Sequence, residues 1–333
     1  MATTVMPVST SLTLAPPAVE PRRPSYEQLN ILAQQQKPEY HQAMARIMEL
    51  RQRYVKERWA FIEGEEMVSL LTKLGATAED IEGMKTVSDN LYDDPTLPFR
   101  RSRNGRFCMD MEKKTLQRLA FQPFVLSAEE DFKRYDSGQV RVFDEIEDNL
   151  QLNTALQALM VFKAAMIHGV DIGRRPLLNY DANKWVCTLF HVRTFTNKDI
   201  LGEPALEGVH SDGVDHTMTT YLGSNNMTPS SAVTYMHEME ETTGIQIYET
   251  KTHLVRARAH HRHFLDSLIF VDHEYKHSLT PVFAEDPAKE ATRDMLVFFT
   301  RRPVCEGHIS SSIDSLKQHE RLRMEFPIFA PAL

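Results

Sequence analysis

The sequence predicts an α+β protein, with a helical N-terminal lobe followed by a core of short strands. Three observations carry that reading. Between Tyr26 and about Leu91 apolar residues recur at helical spacing. Beyond Arg175 the texture changes to short, turn-separated apolar runs, the pattern of a sandwich, jelly roll or barrel. The 333 residues are 42% apolar and 25% charged, enough for an ordinary globular core. The expected organisation is a tail over 1–25, a helical lobe over 26–95, a core over 96–302, and a C-terminal extension over 303–333 packing on the core or on a partner subunit.

The tail is rich in Ser, Thr and Pro and cannot bury enough apolar surface to offset its ordering entropy. A weak organellar targeting peptide is the other reading of it. In the lobe, Tyr40, Met44, Ile47 and Met48 make one helical stripe, with Pro38 suited to a first turn. A second helix runs from about Glu65 to Leu74 and stops at Gly75. A third starts at Thr77 as N-cap, with Asp80 at the capping-box position. A strand is expected near Gln139–Phe143. A helix follows over Asn153–Ile167, capped by Asn153, closed by Gly169, and buried along Leu156, Leu159, Met160 and Ile167. The later strands are Trp185–Phe195, Met218–Leu222, Ala232–Met236, Gln246–Glu249, Leu268–Val271 and Met295–Thr300. A helical stretch is expected over Ile313–Arg323.

Charge narrows the function classes. A net charge of −8 and a pI near 6.0 argue against a surface that tracks phosphates, so no nucleic-acid partner is expected. Cys108, Cys187 and Cys305 are sparse and without CxxC spacing, which fits a reducing compartment. There is no apolar run near the roughly 20 residues needed to span a bilayer, and no basic-then-apolar leader. The expectation is a cytoplasmic enzyme with a small-molecule substrate, no membrane partner, and room for a homodimer.

The chemistry centres on the His-x-Asp of His210-Ser211-Asp212. Residues i and i+2 of an extended segment project to one side and can grip one ion together. With 14 histidines, roughly one His-x-Asp arises by chance, and Asp212-Gly213 also suits a turn. Downstream, the strand Leu265–Asp272 leads to His277, which supplies a second imidazole. Two histidines and one carboxylate leave three metal positions open, the geometry of Fe(II) sites that bind an oxo-acid and dioxygen. Arg293 opens a strand 16 residues beyond His277. A guanidinium there needs an anion, and its planar fork matches a carboxylate such as the far end of 2-oxoglutarate. A loop role for His277 and a salt bridge from Arg293 to Asp294 are the plainer alternatives.

Four ordered blocks, Glu207–Gly213, Gly244–Tyr248, Asp272–Pro281 and Arg293–Phe299, resemble the 2-oxoglutarate/Fe(II) dioxygenase family of the free L-isoleucine 4-hydroxylases. His191-Val192-Arg193 matches the family's strand ahead of the motif. The similarity covers about residues 100–302. It implies a double-stranded β-helix (jelly-roll, cupin-like) core, Fe(II) on His210, Asp212 and His277, and 2-oxoglutarate on Arg293, with dioxygen as co-substrate; His191 and Thr280 are further candidates to hold the oxo-acid. The substrate it implies is a small free aliphatic amino acid. C–H abstraction would give hydroxylation or, as in related fungal enzymes, oxidative closure of an aziridine, with release of succinate and CO2. The carboxylate of Asp212 fills the position a halide would need, which disfavours halogenation.

For the substrate, Arg141 and Arg193 are candidates to grip a carboxylate, and Phe326 and Ile328 of the apolar tail are candidates for a pocket wall. His191 and Arg193 share one strand face, and a structural salt bridge is the other reading of them. The run His260-His261-x-His263 sits among arginines and is expected as a solvated surface, with zinc binding as the alternative. Asp215-His216 is an alternative ligand pair. Two other functions compete. A protein or nucleic-acid hydroxylase would need a basic groove, and a metal-dead binding module would have lost a ligand or the oxo-acid arginine.

Overall fold

The computed structural model describes residues 28–125 and 137–331. The tail expected over 1–25 lies outside the described residues. In chain order the elements are α1 (Ile31–Gln34), α2 (Pro38–Glu57), β1 (Trp59–Ile62), α3 (Gly64–Leu74), α4 (Ala78–Gly83), β2 (Arg100–Asp110), β3 (Thr115–Arg118), β4 (Phe124–Val125), β5 (Val140–Arg141) and β6 (Asp144–Glu145). They continue with α5 (Asp148–Gln151), α6 (Thr154–Ile167), β7 (Lys184–Thr196), β8 (His216–Asn225), β9 (Thr234–His237), β10 (Val255–Ala259), β11 (Ser267–Val271), β12 (Lys276–Leu279), β13 (Ala291–Arg301) and β14 (Glu325–Pro327).

Local chemistry sets the helix ends. Pro38 opens α2, where a missing N–H costs nothing. Gly75 ends α3 at φ +109, a left-handed conformation that glycine adopts without strain. Thr77 caps α4 by accepting the Asp80 N–H, and Asn153 caps α6 by accepting those of Ala155 and Leu156.

The helices pack on a nine-stranded sheet ordered β1-β11-β8-β13-β7-β2-β3-β14, with β6 pairing β2. A three-stranded sheet, β10-β9-β12, faces it, and residues of both sheets line one cavity. All of these pairings are antiparallel except β2–β6. The arrangement is a jelly-roll core.

Several expectations change. β1, from the stretch expected as a helical lobe, is a strand of the large sheet, paired with β11. Gln246–Glu249 is a short 3-10 turn rather than a strand. Ile313–Arg323 forms turns and bends, and the strand there is the later β14. α6 is not amphipathic: all 14 of its residues are buried, because the helix is packed between the sheet and helices α2 to α5. Its polar residues are satisfied inside. Gln157 accepts the Leu29 N–H at 2.8 Å, and Lys163 donates to the Phe298 carbonyl at 2.6 Å. No helix among the described residues is long and apolar enough to cross a membrane.

Candidate active site

Gly208 turns the chain into the site at φ +74, where a Cβ would lie 2.3 Å from the Ile245 carbonyl oxygen. Two residues later His210 meets His277 of β12 through reciprocal backbone hydrogen bonds of 2.9 and 2.8 Å. His210 Nδ1 lies 2.8 Å from the Gly208 carbonyl, which holds it as the donor and aims Nε2 inward. The Nε2 atoms of His210 and His277 lie 3.5 and 3.7 Å from Asp212 Oδ1. One ligand atom from each residue falls within 4.8 Å of the others, a triangle one metal ion can fill. Thr217 Oγ1 donates to the other Asp212 oxygen at 2.9 Å and fixes the carboxylate plane.

The electrostatics match a cation site. Burial favours a neutral His210, but Asp212, Glu207 and the Gly208 carbonyl outweigh it and raise the imidazole to about 9. Burial takes His277 down to about 3, against the pull of Asp212. Burial would raise the Asp212 carboxyl, and the two imidazoles hold it below its ordinary value. The pocket therefore attracts one positive charge, carried by His210, where a divalent ion would sit. Behind it, burial and the neighbouring Asp212 raise the Asp272 carboxyl well above its ordinary value. Two imidazole nitrogens and a carboxylate on one side of an ion are the donor set of facial-triad Fe(II) sites, so these residues fit iron.

The triangle opens onto a cavity of about 160 Å³. Arg293 stands at the start of the cavity face of β13, with Met295, Val297 and Phe299 following at every second position. It is buried, its Nε has no hydrogen-bond partner among the described residues, and burial draws the guanidinium down to about 10. Such a group calls for an anionic ligand. Further along the wall Phe124, Phe143 and Phe190 join Phe299 as an aromatic surface, and Phe190 packs edge-on against the other three. Arg141 and Glu207 also line the cavity, as does Arg100, whose Nε is bound to Asp94 at 2.7 Å.

Other expected site residues lie elsewhere. On β7 the cavity takes Phe190, Val192 and Thr194, so His191 and Arg193 point to the opposite face. There His191 Nε2 meets Ser88 Oγ at 2.8 Å, and Arg193 makes a bidentate pair with Asp294 at 2.6 and 2.7 Å. The salt-bridge reading of Arg193 is the one the geometry carries. Thr280 is a loop brace, donating to Ser230 O and accepting the Val233 N–H. Phe326 and Ile328 are buried in the main hydrophobic core, Phe326 opposite Leu116 of β3, and are not cavity-lining residues. His216 is turned away from the ligand triangle onto Tyr54 OH at 2.6 Å, and Asp215 accepts from Tyr180 OH. His261 is buried rather than solvated, with Nε2 3.1 Å from Thr219 Oγ1 on the cavity wall.

Fold and site together define a class, the mononuclear non-haem iron oxygenases that use 2-oxoglutarate. The family model described as 2OG-Fe dioxygenase matches residues 85–299, and the chain belongs to that family, whose enzymes use Fe(II) and 2-oxoglutarate. It is 49% identical over 290 residues to a bifunctional enzyme, flvA, of Aspergillus flavus. That match covers 87% of this chain and 35% of flvA, so the chain spans about a third of that relative's length. The solved Fe(II)/α-ketoglutarate-dependent dioxygenase TqaL is 54% identical, with a TM-score of 0.76 over 87% of this chain and 98% of that one. The crystal structure of IDO from Bacillus thuringiensis shares the fold at 16% identity, with a TM-score of 0.60 over 77% of this chain and 99% of that one.

Proposed function

We propose that the protein oxidises a small free aliphatic amino acid in the cytoplasm, with His210, Asp212 and His277 as iron ligands and Arg293 as the partner of the far carboxylate of 2-oxoglutarate. The observation that carries this is the ligand triangle and the orphaned Arg293 facing one cavity. The amino-acid reading is supported by the opposite charges of Arg141 and Glu207 beside the aromatic wall, which suit a carboxylate and an ammonium on an aliphatic body. The residual apolar surface excludes water from the reacting carbon.

Bound Fe(II), with 2-oxoglutarate and dioxygen, supplies the oxidising power to remove a C–H hydrogen, and succinate and CO2 leave as co-products. The chain's own part is positional. His210 and His277 stay neutral when they hold the ion, Thr217 orients Asp212, and Phe190 and Phe299 set where the side chain of the substrate lies. The outcome is hydroxylation or oxidative ring closure.

Anaerobic titration with Fe(II) and 2-oxoglutarate tests the cofactor roles. A visible metal-to-ligand charge-transfer band is expected with the intact chain and not with His277→Ala. Free aliphatic amino acids are then expected to stimulate succinate release. A folded, metal-replete protein with no band would overturn the assignment of these ligands.

A further inference from the structure

The three iron ligands are not held in the same way. His277 belongs to β12 and is laddered to β9, and His210 is paired through its backbone to His277. Asp212 has no such support. It lies between the His210 bridge and the first residue of β8, His216, in a stretch without regular structure. A carboxylate on an irregular loop is free to swing unless something fixes the backbone beneath it.

That something is Asp272, which is fully buried. Its Oδ1 accepts the Asp212 N–H at 2.8 Å and its Oδ2 accepts the Val214 N–H at 3.3 Å. Its own N–H donates to the Asp215 carbonyl at 3.2 Å. Among the described residues no Lys, Arg or His forms an ion pair with it, and its hydrogen bonds go to backbone groups. Asp272 also begins the short 3-10 turn that leads into β12, five residues before His277. One side chain therefore links the segment bearing Asp212 to the segment bearing His277.

We propose that Asp272 is a positioning residue for the iron site, a carboxylate that stands in for a missing strand partner and sets the aim of Asp212. The proposal rests on the ligand roles given above. The residue type follows from the task. The Asp272 carboxyl presents an acceptor oxygen to each of the two converging N–H groups, one to Asp212 and one to Val214. An amide of the same shape offers one oxygen and one NH2, so one backbone N–H would face another donor and the loop would shift.

The test is anaerobic Fe(II) titration of the full chain without oxo-acid, beside the thermal midpoint of the metal-free protein. Asp272→Asn is expected to weaken Fe(II) binding roughly ten- to a hundredfold, the range of outer-shell changes at metal sites. Asp272→Ala, which leaves room for water to receive the two N–H groups, provides a second variant should the amide prevent folding. The decisive readout is a double-mutant cycle. In an Asp212→Ala background the Asp272 change is expected to cost no further affinity, because there is no carboxylate left to aim. Wild-type Fe(II) affinity in both Asp272 variants would overturn the proposal, and so would an equal loss with and without Asp212. Should Asp212→Ala itself bind Fe(II) as tightly as wild type, the ligand assignment fails with it, an outcome distinguishable from failure of Asp272 alone.

Discussion

Arg293 and Glu207 carry opposite charges on one cavity, and each makes a distinct claim about what binds. Arg293→Lys keeps the charge but loses the planar fork. Forfeiting a charge-assisted hydrogen bond of about 1.5–3 kcal/mol is expected to raise the KM for 2-oxoglutarate roughly ten- to a hundredfold with kcat little changed, as read from succinate release. Glu207→Gln is expected to weaken binding of the amino acid while leaving its des-amino analogue and the charge-transfer band unaffected. Equal losses for both ligands would remove Glu207 from the ammonium role. At this scale the clustering of His210, Asp212 and His277 beside a cavity lined by Arg293 was legible because His-x-Asp, a later His and a strand-opening Arg depend on order and type alone. His191 and Arg193 were misplaced because the side-chain period of a strand is 2, so the correct strand read one residue out of phase turns a face outward. Asp272 and Glu207 stood inside recognised blocks, but their roles depend on distances that no spacing rule supplies.

Among the elements, α6 is buried more completely than its sequence pattern foretold. Its stripe of Leu156, Leu159, Met160 and Ile167 is buried as expected, but packing buries the other faces as well, including a lysine. Burial draws Lys163 down to about 8, partly opposed by Cys187 and Asp212. The folded-state pKa lies below the unfolded value of 10.5, so the folded chain binds fewer protons between pH 8 and 10.5. Stability is penalised below that window and recovers as pH rises through it, by about 3 kcal/mol in all. Urea unfolding at pH 7 and pH 9.5 is expected to show about 2 kcal/mol of that gain in wild type relative to Lys163→Met, which has no such group. Parallel pH profiles for the two proteins would contradict it. Strands β7, β8, β11 and β13 were legible from apolar runs. β1 and β12 were not, being four residues each and defined by what they pair with rather than by their own composition.

For the molecule as a whole, β14 near the C-terminal end pairs with β3 of the large sheet. Asp314 lies between Arg106 and Arg301, which line a second cavity of about 40 Å³ that reaches Asp212 and Gly213. Ser310 and His308 complete that wall. No motif could announce this contact, since Arg106 and Asp314 are separated by 208 residues and meet only through the folded sheet. The jelly roll itself was anticipated because alternating strands and turns leave few ways to close a core.

The order of strands in the large sheet bears on how the protein behaves in a crowded solution. Its longest strands, of 10 to 13 residues, are interior or nearly so, while the outermost are β1, with four residues, and β14, with three and a terminal proline. The outer side of β2 is covered by β3 along one stretch and by β6 along another. A neighbouring copy approaching edge-on thus meets only stubs too short to template an added strand, and the sheet resists growing into an aggregate.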